Sequence, residues 1–135
     1  IEDRNVEFAR SRLGALRVDL LFTTNRLFDK VRREHAVRTR FVECEIPCAT
    51  VEGLLLLKLF ALPSLYRQGQ FGRVRVYEND VADLVDCYQP PMRPICDELA
   101  KHLSQSDLGE VRNIVQEIED RLARSRNRFG NNLRP

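Results

Sequence analysis

Asp19 is the first side chain whose chemistry demands an account. It stands between Val18 and Leu20 in the apolar run 16–22. A carboxylate there is costly to bury unless it is paired, hydrogen-bonded or bound to a metal. The local sequence favours an exposed carboxylate or one salt-bridged to a nearby Arg. Lys58 poses the same question inside the greasy segment 51–61, Val-Glu-Gly-Leu-Leu-Leu-Leu-Lys-Leu-Phe-Ala. Its amine either snorkels to solvent or points into a cleft to meet a carboxylate or phosphate. Asp80 and Asp83 lie three apart and share a helical face, which Asp86 extends into an acidic stripe. Such a stripe is ordinarily a solvated surface, and Arg67, Arg73 and Arg75 could pair with it. The stretch 66–75 also holds Gln68 and Gln70, so it suits contact with phosphate or nucleic acid and equally suits a plain surface.

Other chemistries lack their residues. His35 and His102 have no Ser, Cys or acid at a diagnostic spacing, so no nucleophilic triad is indicated. No Gly-rich phosphate loop is present. Cys44, Cys48, Cys87 and Cys96 form no C-x-x-C and match no zinc pattern. They read as reduced cytosolic thiols, Cys44 and Cys48 as small core residues. The basic cluster Arg121, Arg124, Arg126, Arg128 and Arg134 suits solubility or an acidic partner.

The 135 residues make one domain or a large part of one. With 43% hydrophobic and 31% charged residues, the chain can build a core and is not of the disordered class. Twenty-two basic residues against 20 acidic leave a formal net charge of +2, which argues against non-specific DNA binding. The longest apolar runs, 54–57 and 59–62, are split by Lys58 and followed by Pro63; neither is long enough to span a bilayer. A cytoplasmic protein is the expectation. The chain opens at Ile1 in mid-pattern, which suggests the C-terminal portion of a longer protein.

Residues 6–8 and 16–22 read as strands joined through Gly14, with Val18, Leu20 and Phe22 on one face and Arg17, Asp19 and Leu21 on the other. Thr24 or Asn25 caps a short helix carrying Leu27, Phe28 and Val31. Alternation across 38–47 suggests one or two strands closed by Pro47. Thr50 caps an apolar, central helix over 51–62, which Pro63 stops. Three further helical stripes follow: Tyr77, Val81, Leu84, Val85 and Tyr88, ended by Pro90-Pro91; Ile95, Leu99 and Leu103; and Leu108, Val111, Ile114, Val115, Ile118 and Leu122. Ser104 and Asp107 resemble a capping box. Strands first and helices after predict an α+β fold. A small mixed sheet (1–49) is followed by a bundle of about four helices (50–123) and a flexible tail (124–135).

In order and spacing these pieces resemble the nucleotidyltransferase superfamily, in its bacterial minimal and abortive-infection types. The matching text is Val18-Asp19-Leu20-Leu21-Phe22; Glu45-Ile46-Pro47-Cys48-Ala49-Thr50; Val51-Glu52-Gly53-Leu54 through Lys58 and Ala61; Arg67; and Asp80 with Asp83-Leu84. It covers residues 18–88. The resemblance implies a nucleotidyltransferase-like fold whose parent protein transfers a nucleoside monophosphate from an NTP. In such enzymes three carboxylates hold two Mg²⁺ ions that neutralise triphosphate charge and align the attacking oxygen. Asp19 matches the third of those carboxylates, hence a catalytic and metal-binding role. Lys58, Arg67 and Asp80 match a nucleotide-binding motif, and the resemblance places the Lys58 amine and Asp19 on one cavity. The spacer from Arg67 to Asp80 is longer than the family's, and no Asp-x-Asp precedes Asp19. One carboxylate cannot assemble a two-metal site, so the chain by itself is expected to be inactive, whether as part of a longer enzyme or as a natural half-protein. The acceptor in the parent would be a tRNA or a protein hydroxyl. The alternative is a non-catalytic module that pairs with another subunit or with itself. An Arg-mediated nucleic-acid binder is a third reading, against which the near-neutral charge stands.

Overall fold

The computed structural model describes residues 3–131. The chain divides into two compact units, Ile1–Gly53 and Leu54–Pro135. As expected, the class is α+β.

In the first unit, β1 (Asp3–Arg4), β2 (Phe8–Leu13) and β3 (Leu16–Leu21) form an antiparallel sheet in that order. Helix α1 (Arg26–Glu34) follows, then the hairpin β4 (Ala36–Phe41) and β5 (Cys44–Ala49). The described strands thus make two antiparallel sheets where one mixed sheet was expected. Strand β2 starts later than the apolar pattern suggested. The Asn5 side chain accepts from the N–H groups of Glu7 and Phe8 and closes a local turn over 5–8, an option that competes with strand pairing. Gly14 turns the β2–β3 hairpin at φ +63°, which glycine adopts without steric cost. Asn25 caps α1 by accepting from the Leu27 and Phe28 N–H groups, and the helix buries Leu27 and Val31. Pro47 lies inside β5, opposite Arg38. A two-stranded ribbon consists only of edge strands, where proline's missing N–H is tolerated.

The β4–β5 turn stores strain. Val42 sits at φ +50° with its side chain in solvent. A β-branched residue in the left-handed region is out of place, at a cost of about 1–2 kcal/mol. Val42→Asn is expected to stabilise the protein by about 1 kcal/mol, read as a higher urea midpoint at unchanged m. An unchanged or lower midpoint would refute the strain assignment.

The second unit is helical: α2 (Val51–Arg67), α3 (Phe71–Tyr88), α4 (Met92–Leu99) and α5 (Gln105–Asn131), with α2 beginning three residues before the division. Its core is Leu55, Leu56, Leu59, Leu62 and Leu65 of α2, Val74, Val81, Ala82 and Val85 of α3, Met92, Ile95 and Leu99 of α4, and Val111, Val115 and Ile118 of α5. Among the described residues no polar or charged residue is buried. Pro63 does not stop α2. It lies fully buried within the helix, and the burial of Leu62 and Leu65 around it outweighs the one missing N–H. Termination comes at Gly69 instead. The Gly69 and Gln70 N–H groups donate back to the Tyr66 and Leu65 carbonyls, and Gly69 takes φ +67°, the Schellman arrangement. Between Arg67 and Phe71 the connection is only three residues long, and α3 begins at Phe71. Gln89, left-handed at φ +47°, and then Pro90 close α3. Ser104 Oγ accepts from the Asp107 N–H and starts α5. That helix continues through Arg124 to Asn131, where a flexible tail was expected. Arg126 anchors it to α3 by pairing with Asp86 at 2.7 Å. The rest of the expected tail, 132–135, lies outside the described residues.

Candidate functional site

On β3, Asp19 stands opposite Arg10 in the register with β2. Arg10 grips it with both prongs: Nε donates to Oδ1 at 2.7 Å and Nη2 to Oδ2 at 2.9 Å. This is the fork-to-carboxylate geometry of the stronger ion pairs. Both Asp19 oxygens accept from Arg10. Among the described residues no group of three His, Cys, Asp or Glu side chains is placed to hold a metal ion. The described donors do not by themselves make up a Mg²⁺ site.

The second unit holds the denser cluster. Lys58 projects from α2 and Asp80 from α3, and Lys58 Nζ donates to Asp80 Oδ2 at 2.6 Å. The same amine lies 4.8 Å from the centroid of the Tyr77 ring, within cation–π range. Tyr77 sits one turn before Asp80 on α3. One further turn back, Arg73 brings its Cζ to 5.7 Å from that ring. Arg73 Nη2 donates to Tyr77 Oη at 3.3 Å, and Nη1 donates to Gln70 Oε1 at 3.1 Å. Arg73, Tyr77 and Asp80 fall at i, i+4 and i+7, one face of α3. Lys58 and Asp80 keep 24% and 41% of their side-chain surface. The pair is thus reachable from solvent yet partly desolvated, where Coulombic attraction exceeds that of a fully exposed pair.

Two of the four residues picked from the sequence, Lys58 and Asp80, come together. Arg67, in the last turn of α2, instead pairs with Asp107 in the first turn of α5. Asp19 belongs to the first unit and is paired within it. The acidic stripe is also divided: Asp80 serves Lys58, Asp86 serves Arg126, and Asp83 is exposed. Tyr77 was not picked out and read as part of an apolar stripe; Arg73 was named only as a possible partner of the acidic stripe, within the stretch 66–75 suited to phosphate contact. Placing the start of α3 at Phe71 is the signal that aligns both with Asp80. His102 pairs with Glu98 at 3.0 Å, and all four cysteines are free thiols. Partial burial pushes the Cys96 thiol above the ordinary range.

A neighbouring contact ties α2 to α3. The Tyr66 hydroxyl donates to Glu78 Oε1. That bond to a carboxylate, then burial, then the nearby charges of Glu78, Glu117 and Glu110 push the phenol up to about 12. The folded value lies above the unfolded value of 10.0. The stabilisation is therefore complete below pH 10 and is lost as pH rises through about 12. Ultraviolet titration is expected to show a tyrosine phase near pH 12, and Tyr66→Phe to remove that phase. A titration without a phase near pH 12, or one that Tyr66→Phe leaves in place, would contradict it.

No protein-family model matches the chain, and neither a curated protein nor a solved structure does.

Proposed function

We propose that the chain is the C-terminal part of a nucleotidyltransferase-like protein whose parent transfers a nucleoside monophosphate from an NTP with Mg²⁺, and that the chain alone does not catalyse the transfer. The observation that carries this reading is the Lys58–Asp80 contact. Two residues singled out by one motif, 22 positions apart, share a hydrogen bond on a solvent-reachable face. In this reading the Lys58 amine meets phosphate oxygens, and Asp80 holds that amine in place until they arrive. Mg²⁺, when bound in the parent, neutralises triphosphate charge; the chain's own part is to position phosphate groups. A tRNA or a protein hydroxyl is the acceptor class.

The deciding assay follows a labelled nucleoside monophosphate from NTP to acceptor. The longer protein is expected to transfer it, its Lys58→Met variant to be crippled, and the 135-residue chain to give none. Transfer by the chain alone, or by the variant at the wild-type rate, overturns the reading.

A second reading, a subunit-pairing module, draws on the first unit. Leu13 and Leu16 of the β2–β3 hairpin, with Val37 and Phe41 of β4, keep more than half of their surface exposed, and exposed apolar area of that kind favours association. Sedimentation of the chain separates the two: a concentration-independent monomer disfavours pairing with itself.

A further inference from the structure

We infer that Arg73, with the hydroxyl of Tyr77, is the anion anchor of the α2–α3 face and takes a phosphoryl group of the bound nucleotide, the part that sequence order gives to Arg67. The inference rests on the nucleotidyltransferase reading above and adds to it the residue that carries the uncompensated charge. Three observations support it.

The first is how each cation is neutralised. Arg67 is committed to Asp107, and Lys58 to Asp80. Among the described residues Arg73 has no carboxylate partner; its guanidinium is held by the amide oxygen of Gln70 and the phenol oxygen of Tyr77. Both holders are neutral. They fix the direction of the fork without cancelling its charge, so an arriving anion meets a cation that is already oriented.

The second is what lies beside it. Lys58 Nζ and Arg73 Cζ are 4.8 and 5.7 Å from the centroid of one aromatic ring. Around the Tyr77 ring, then, two cations meet one carboxylate, Asp80. Oxygens from one phosphate chain can reach both cations, and the planar fork of Arg73 matches a phosphoryl group with two parallel hydrogen bonds.

The third is the phenol. Tyr77 Oη accepts from Arg73, so its own O–H remains a donor. No other partner of that hydroxyl occurs among the described residues. It adds a third donor on the same side of α3.

The test uses the full chain and two probes, inorganic tripolyphosphate and ATP, each followed by the NMR shifts of the Arg73 Nε–H and the backbone of α3. Both probes are expected to bind and to move those signals. Arg73→Met should weaken tripolyphosphate binding about tenfold or more, and Arg73→Lys should weaken it less, because charge survives while the fork is lost. Arg75→Met, an exposed change on the same helix, should leave affinity unchanged. Wild-type thermal midpoints for the Arg73 variants exclude a folding defect; the hydrogen bonds given for the Arg73 side chain run to Gln70 and Tyr77, within its own helix and cap. Binding lost in Arg67→Met but kept in Arg73→Met overturns the inference. If Lys58→Met weakens binding and neither Arg73 variant does, the inference falls while the nucleotidyltransferase reading stands. If the wild-type chain binds neither probe, both fall. ATP binding with no response to tripolyphosphate also overturns it, since recognition would then run through the nucleoside.

Discussion

Under the proposed nucleotidyltransferase reading, Lys58→Met is expected to lower nucleotidyl transfer by the proposed parent about 100-fold, the order of magnitude lost when one preorganised charge stabiliser is removed. That corresponds to about 2.7 kcal/mol of transition-state stabilisation. The change keeps the length and apolar stem of the side chain and removes only the amine. Asp80, left without its partner, keeps 41% of its side-chain surface and can be hydrated where it stands. The fold therefore tolerates the loss, and the thermal midpoint should move by only a few degrees. The combination of near-native stability and crippled transfer distinguishes a phosphate contact from a structural ion pair. Lys58→Arg should recover part of the activity, because a cation remains against Tyr77 and Asp80. A rate within threefold of wild type for Lys58→Met would remove this amine from the reaction.

Gly53→Val is expected to destabilise the protein by about 3 kcal/mol, the upper range for overpacking. Gly53 lies in the first turn of α2, where α1 ends. A Cβ built there would lie 2.9 Å from the His35 carbonyl oxygen, 3.0 Å from His35 Cβ and 3.2 Å from Val31 Cγ1. The nearest of these is backbone. The His35 carbonyl accepts the Thr50 N–H at 2.8 Å, and Thr50 Oγ1 in turn accepts the Gly53 N–H at 3.1 Å. Moving the carbonyl aside breaks the bond that fastens the end of α1 to the start of α2. Alanine gains about 1 kcal/mol of helix propensity over glycine yet still meets the oxygen, so Gly53→Ala should be net destabilising by about 1 kcal/mol. Valine adds two methyl groups to the same contact. Urea denaturation of both variants provides the check: a midpoint raised by alanine would show that the close approach is easily relieved.

The legible parts of this protein were those set by neighbours in the chain. Asn25 caps α1 and Ser104 caps α5 because a short polar side chain satisfies N–H groups two or three residues ahead. The continuous apolar stretch 51–62 and the helical spacing of Val111, Val115 and Ile118 identified helices that bury Leu55, Leu59 and Leu62 and those three positions. Local pattern misled where a distant contact held the deciding energy. A helix-breaking residue, Pro63, is carried through α2 by its burial. Likewise a polar, arginine-rich segment from Arg124 onward stays helical, with Arg126 bound to Asp86 forty residues away.

For the candidate site the division is the same. Residue types and order alone singled out Asp19, Lys58, Arg67 and Asp80 as the side chains with chemistry to explain, since a charge set among apolar neighbours or matched along a motif is visible without coordinates. Which of them meet was decided by packing. Arg10 reaches Asp19 only through the β2–β3 register, and Arg67 reaches Asp107 only because α5 begins beside the end of α2. Lys58, Tyr77 and Asp80 converge because two helices pack. An ionic contact falls off over a few ångströms, so its partner is set by three-dimensional distance, which a one-dimensional pattern does not carry.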